Sequence, residues 1–348
     1  MKSIYLIALP VFIVSSICAC LSCADVQTVE EQDQKKYLLG PPRVPQMPAK
    51  APELKDALDT YLTASVTQGV DSNPLLDSTH KADSYTQEAV DMHFKYQLPD
   101  NELGSACLRF GANAFNVNYY RITDVNIFDG VADLYMDHDL CKDVKASAGY
   151  IFETMWYPHN RQGNYLGNSF IVSFKHKVTG WLYERVAYRT EYRNYLDRKI
   201  MMNNLTQGSD LRQDIRNTVR YELGIYLGKK MKFTTINDFY INESNYQYMD
   251  YYDYWSDTVR LSLIAILTKK LYGTAGFSYQ RRSYYSRQVS DSEAYQRDNV
   301  YTAGGSFIYD ITKSLSAFVS YSHSEDHTNE PLERYVDTLY SGGMTYSF

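Results

Sequence analysis

The last ten residues, Leu339 to Phe348, read LYSGGMTYSF. Tyr340, Gly342, Met344, Tyr346 and Phe348 share one phase of a two-residue period, with small polar residues between them. Successive side chains of a β-strand point to opposite faces, so the segment has one oily face and one wet face. The same alternation runs back through the chain. Val90, Met92, Phe94, Tyr96 and Leu98 alternate with Asp91, His93, Lys95 and Gln97. Val144, Ala146, Ala148, Tyr150, Phe152 and Trp156 alternate with Lys145, Ser147 and Glu153. Val219, Tyr221, Leu223, Ile225 and Leu227 do so with Arg220, Glu222 and Gly224, and Leu315, Ala317, Val319 and Tyr321 with serines.

A soluble sandwich would also alternate, so three further features decide the class. The periodic segments are long, about 9 to 13 residues, as a tilted membrane-crossing strand requires, whereas sandwich strands run about 5 or 6. Aromatic residues gather near segment ends: Tyr96, Tyr119, Tyr120, Trp156, Tyr157, Trp181, Tyr192, Tyr195, Tyr240, Trp255, Tyr272 and Tyr284. That is where interfacial girdles would sit. The connections alternate between tight turns, such as Val178-Thr179-Gly180 and Gly228-Lys229-Lys230, and longer polar links at 196–213, 244–254, 285–296 and 324–334. Short periplasmic turns and longer external loops produce this asymmetry. The spacing predicts an all-β, antiparallel, up-and-down transmembrane barrel of about fourteen strands over residues 58–348, both of whose ends fall on the short-turn side. Its expected location is the outer membrane of a Gram-negative cell, with outer-membrane lipid as partner.

The first residues read as an export signal. Lys2 precedes an apolar run, residues 4 to 17 (IYLIALPVFIVSSI), which is shorter than a spanning helix and interrupted by Pro10. Ser22-Cys23-Ala24 fits a small-x-small cleavage site, giving a signal peptide over 1–24; Ile17-Cys18-Ala19-Cys20 offers lipoprotein processing as the rival. Residues 25–57 carry Pro41, Pro42, Pro45, Pro48 and Pro52 and are expected to form an extended or partly helical periplasmic leader. Cys107 and Cys141 remain after processing, either as a disulfide in an oxidising compartment or as small fillers on separate strands.

Composition narrows the function. The chain has 348 residues, 34 of them tyrosine, a net charge of -6 and no basic block, which speaks against nucleic acid. The mean hydropathy is negative, so no long apolar helix is expected beyond the N-terminus. No phosphate loop, zinc spacing or dinucleotide fingerprint occurs, and the histidines do not fall beside serine and carboxylate in a supported triad phase. No catalytic residues, metal or cofactor are expected. Asp137-His138-Asp139 reads as a hydrophilic turn.

With the oily phase toward lipid, the other phase faces the lumen. It carries Arg185, Arg189, Glu191 and Arg193 on one strand, Arg216, Arg220 and Glu222 on the next, then Arg260 and Arg282. Such a track either favours anionic or sugar-like solutes in a channel or pairs internally as a structural ladder. The segment Tyr246 to Trp255 (YQYMDYYDYW) holds Tyr246, Tyr248, Tyr251, Tyr252, Tyr254 and Trp255. These suit either a ligand-binding surface loop, with a glycan as one candidate, or an extension of the outer girdle.

The terminal segment, with Tyr346 and Phe348, resembles the insertion signal of bacterial outer-membrane proteins, and that resemblance implies recognition by the outer-membrane assembly machinery. Val70-Asp71-Ser72-Asn73-Pro74-Leu75 is similar to the opening of the β-barrel porins of a largely uncharacterised outer-membrane family, a resemblance covering roughly residues 58 to 348. It implies architecture more than activity. Some members accompany exopolysaccharide secretion, so the resemblance adds an accessory role in glycan export as an alternative to a channel.

Overall fold

The computed structural model describes residues 58–76, 81–98, 105–202, 206–290 and 292–348. The expected signal and leader, residues 1–57, lie outside the described residues. Fourteen strands follow one another: β1 (Leu58–Asp71), β2 (Asp83–Gln97), β3 (Ala106–Tyr119), β4 (Ile127–Cys141), β5 (Val144–Trp156), β6 (Tyr165–His176), β7 (Leu182–Met201), β8 (Gln207–Leu227), β9 (Met231–Ser244), β10 (Tyr254–Ile266), β11 (Leu271–Gln288), β12 (Tyr295–Asp310), β13 (Leu315–Asp326) and β14 (Tyr335–Ser347). Each pairs antiparallel with its sequence neighbours, and β14 pairs with β1 to close the ring. Closure leaves no strand edge with unpaired amides, which is the condition for β-structure inside lipid.

The two phases of every strand separate cleanly. Phe170, Phe307 and Val319 point outward and are 65%, 57% and 59% exposed, while the inward phase holds the buried polar and charged residues. An oily exterior around a polar interior inverts a soluble core and fits a lipid surround. The chain is an outer-membrane β-barrel.

The seam between β1 and β14 runs in register from Thr63 opposite Ser347 to Asp71 opposite Leu339. Beyond the last pair, the Phe348 amide donates to the Leu62 carbonyl at 3.0 Å. At the external end the turn after β1 ties the seam. Buried Asn73 donates its amide to Asp71 Oδ1 (2.9 Å) and Asp337 Oδ1 (3.1 Å), and its side chain to the Val336 carbonyl.

Inside the wall, several rings lie across glycines that are their direct register partners: Tyr85 over Gly69, Tyr135 over Gly149, Tyr183 over Gly224 and Phe318 over Gly343. A Cβ on any of these glycines would collide with the ring. The missing side chain is what lets a large ring lie flat on the wall.

The structure departs from the sequence expectations in three places. Residues 196–213 are mostly strand, because β7 and β8 extend to Met201 and from Gln207 as the two longest strands. Asp137, His138 and Asp139 belong to β4 and are not a turn; Asp137 faces inward and takes two hydrogen bonds from Arg109, at 2.7 and 2.8 Å. Of the strand-end aromatics, Tyr96, Tyr120, Trp156 and Trp181 are exposed on the outside, but Tyr157, Tyr195, Tyr240 and Tyr284 are buried within the barrel. Tyr119 also turns inward, donating to Asp71 at 2.5 Å. Cys107 and Cys141 are both free thiols.

Candidate functional site

The interior has two unlike walls. The first spans β5 to β10, continues onto the outer ends of β11 and β12, and is built from large side chains. Arg185, Glu222 and Tyr183 cluster where β7 meets β8: Arg185 lies 3.2 Å from Glu222, and the Tyr183 hydroxyl donates to the other carboxylate oxygen at 2.7 Å. One turn of the pleat further out, Glu191 sits between Arg189 (3.2 Å) and Arg193 (2.5 Å), its two same-face neighbours on β7. Arg189 also donates to Ser169 of β6 at 2.9 Å. On β8 and β9, Arg220 forks onto both oxygens of Asp238 at 2.6 and 3.0 Å, and Arg260 of β10 joins the same carboxylate. Arg282 reaches Asp298 of β12 at 3.2 Å. Arg216 donates to the Tyr254 hydroxyl at 3.2 Å and lies over the Tyr240 ring.

Apart from Arg260, whose side chain keeps 18% exposure, these guanidiniums are almost fully withdrawn from water. A buried charge persists only with a close counter-charge and satisfied hydrogen bonds, so each acid here offsets a desolvation cost. Seven arginines share four carboxylates here, so their charge is offset in part.

Toward the external mouth arginine and tyrosine alternate. Arg193 lies over Tyr165, Arg212 between Tyr195 (4.4 Å) and Tyr252 (3.4 Å), Arg282 over Tyr254, and Arg287 between Tyr284 (4.9 Å) and Tyr251 (4.1 Å). Stacking of this kind contributes about 0.5–2 kcal/mol per contact. Arg212 is the largest fully buried side chain and also pairs with Asp214; Arg287 pairs with Glu333 at 2.6 Å. Neither Arg212 nor Arg287 stands out in the sequence, because both lie where a polar loop is expected.

The aromatic segment divides. Tyr246, Tyr251 and Tyr252 pack edge-on at the mouth, with Tyr246–Tyr252 and Tyr251–Tyr252 centroids 4.8 Å apart. Tyr248 opens a short helical turn. Arg198 donates to the Tyr252 hydroxyl at 2.7 Å, so the loop is pressed onto the β7–β8 extension. Tyr254 and Trp255 belong to β10 and face opposite ways: Tyr254 is 1% exposed inside, and Trp255 stacks on Phe239 outside. Asp253 closes the loop by accepting the Ser244 amide at 2.7 Å. Burial pushes its carboxyl up to about 6, with Asp250 and Glu243 adding repulsion.

The second wall is the middle stretch of β11 through β14 and β1; it is neutral and mixes short hydroxyls and glycines with Val300, Ile308, Phe318 and Leu339. Hydroxyls meet across strands: Thr274 with Ser306 at 2.7 Å, Thr302 with Ser324 at 2.8 Å, and Ser320 with Ser341 at 2.5 Å. On the remaining arc, His93 touches Asp91 at 3.2 Å, and its side chain is 44% exposed on the inner face. Among the described residues no group of three or more histidines, cysteines or carboxylates is arranged to hold a metal ion.

No protein-family model and no curated protein matches this chain. Among solved structures it is similar to a loop-deletion mutant of OmpT, an outer membrane protein of Vibrio cholerae, at 8% identity, covering 84% of this chain and 100% of that one, with a TM-score of 0.47. It is similar to an anion-selective porin from Comamonas acidovorans at 8% identity, 84% and 100% coverage and a TM-score of 0.45. It is also similar to a bacterial polysaccharide outer membrane secretin at 11% identity, 82% and 98% coverage and a TM-score of 0.44. Likeness at this level is one of general barrel form and carries no function across.

Proposed function

We propose that this barrel is a passive, weakly selective outer-membrane channel for small polar solutes of anionic or sugar-like character, with no catalytic role. The observation that carries the reading is the contrast between the two interior walls. Bulky paired side chains fill one side, while the middle of the other carries no charge and mixes short hydroxyls and glycines with Val300, Ile308, Phe318 and Leu339, with open space in front of Gly276. Because Arg185, Arg189, Arg193, Arg220, Arg260 and Arg282 share the four carboxylates of Glu222, Glu191, Asp238 and Asp298, most of their charge is offset and only a weak anion bias is expected.

The packed external mouth favours one second reading. Tyr252, Tyr254 and Tyr284 are buried there together with Arg212, as they would be in a non-conducting barrel whose loops bind a ligand or assist glycan export. Reconstitution in planar bilayers separates the two. Stable openings with at most a slight anion bias support the channel, and a folded but electrically silent barrel refutes it.

A further inference from the structure

Resting on the channel reading, we infer that the solute path follows the second wall and is matched to neutral, hydroxyl-rich molecules of the sugar or polyol class rather than to anions. Three observations carry this.

The first is chemical uniformity. The inward positions between Tyr272 and Gln280 on β11, Val300 and Ile308 on β12, Ser316 and Ser324 on β13, Leu339 and Ser347 on β14, and Thr63 and Gly69 on β1 carry no charge at all. Five adjacent strands thus present an uncharged face opposite a wall dense in arginine and carboxylate.

The second is the state of the hydroxyls. A serine or threonine hydroxyl has one donor and two acceptor sites. In the Thr274–Ser306 and Ser320–Ser341 pairs one O–H is spent on the partner, which leaves the second O–H and the remaining lone pairs for other use, whereas Ser324 donates its own to the Tyr301 carbonyl at 3.2 Å. A sugar hydroxyl has the same two-way capacity. It can exchange its water for these groups without stripping hydration from a charge.

The third is room. Gly276 is exposed on the inner face, and a Cβ built on it would meet only the Leu261 carbonyl oxygen, at 3.6 Å. The space in front of it is open.

The test is liposome swelling with the full chain, using glucose, sorbitol and gluconate as probes of similar size. Glucose and sorbitol are expected to enter several-fold faster than gluconate. The double variant Ser320→Ala/Ser341→Ala removes hydroxyls without adding bulk and should slow glucose several-fold while leaving single-channel conductance in potassium chloride within twofold. Gly276→Phe should block both sugar and salt. Folding of each variant is confirmed by heat-modifiable migration. Gluconate entering as fast as glucose, or the double alanine variant passing glucose at the parental rate, overturns the hydroxyl path while leaving a channel standing. A barrel silent to every solute and to salt overturns the channel itself.

Discussion

Tyr183 lies across Gly224, its direct cross-strand partner, so closely that a Cβ on Gly224 would fall 2.0 Å from the ring. The ring cannot retreat freely, because its hydroxyl donates to Glu222 and Lys175 stands 4.4 Å from its centroid. Gly224→Ala is expected to destabilise the barrel by about 1–3 kcal/mol, as overpacking does. Gly180→Ala is the matched control, since nothing lies within 4 Å of that position. The two are compared by the temperature at which heat-modifiable migration is lost, and equal temperatures would show that the ring moves at no cost.

Glu191 holds two arginines at once. Glu191→Gln leaves Arg189 and Arg193 buried without their shared carboxylate, and removing one partner of a buried pair typically costs about 3–5 kcal/mol. The expected outcome is a large fall in the urea midpoint and, in any folded fraction, a shift toward anion selectivity in reversal potential. Glu191→Asp should recover part of the loss.

The seam depends on its last residues. Phe348 is 75% exposed to the outside and packs edge-on against Tyr346, and its amide extends the β1–β14 ladder by one bond. Deleting Phe348 should lower the folded, heat-modifiable fraction in membranes, and full yield of folded protein would count against a role in assembly.

The loop ending at Asp253 should respond to pH. Its carboxyl titrates near 6 when packed and near 3.8 when released. The packed loop is therefore at its most stable below about 3.8, and that added stability is lost as pH rises through about 6, where packing must keep a charge from water. Hydrogen exchange of residues 246–253 should be slower at pH 4 than at pH 8 after correction for intrinsic rates. Asp253→Asn should flatten the difference.

If the loop narrows the mouth, Tyr252→Ala should widen it. The ring stacks on Arg212 at 3.4 Å and takes a bond from Arg198. Its removal is expected to raise single-channel conductance about twofold, and unchanged conductance would place the constriction elsewhere.

The strand count and most strand limits were legible because the lipid-facing phase writes a two-residue period wherever one side is oily. That signal fails where neither side meets lipid. Residues 196–213 look like loop because Asp197, Arg198 and Lys199 break the alternation, yet β7 extends to Met201 and β8 starts at Gln207, paired across register shifts at Asn194/Lys199 and Lys199/Met201. Asp137 read as a turn residue because its partner Arg109 stands 28 positions away, and register is not visible before the strands are aligned. Tyrosine is ambiguous for a different reason. An apolar ring with a polar tip suits both a lipid interface and a polar interior, so Tyr195 and Tyr284 were indistinguishable from Tyr192 and Trp156. The arginine track was visible, and Asp238 falls in the same lumen phase, but the pairing of Asp238 and Asp298 with it and the neutral wall facing it emerge only from the closed ring.

That ring imposes an arithmetic of its own. Each strand fixes the offset of the next, and after fourteen offsets the count must return to Phe348 beside Leu62. A slip of one residue at any turn would reverse the faces of the strand beyond it and reach the seam as an uncancelled remainder, since strand number and stagger are linked in a closed barrel. The last strand therefore acts as a checksum on all those before it: an error made anywhere in the sequence of pairings is detected where the last strand meets the first.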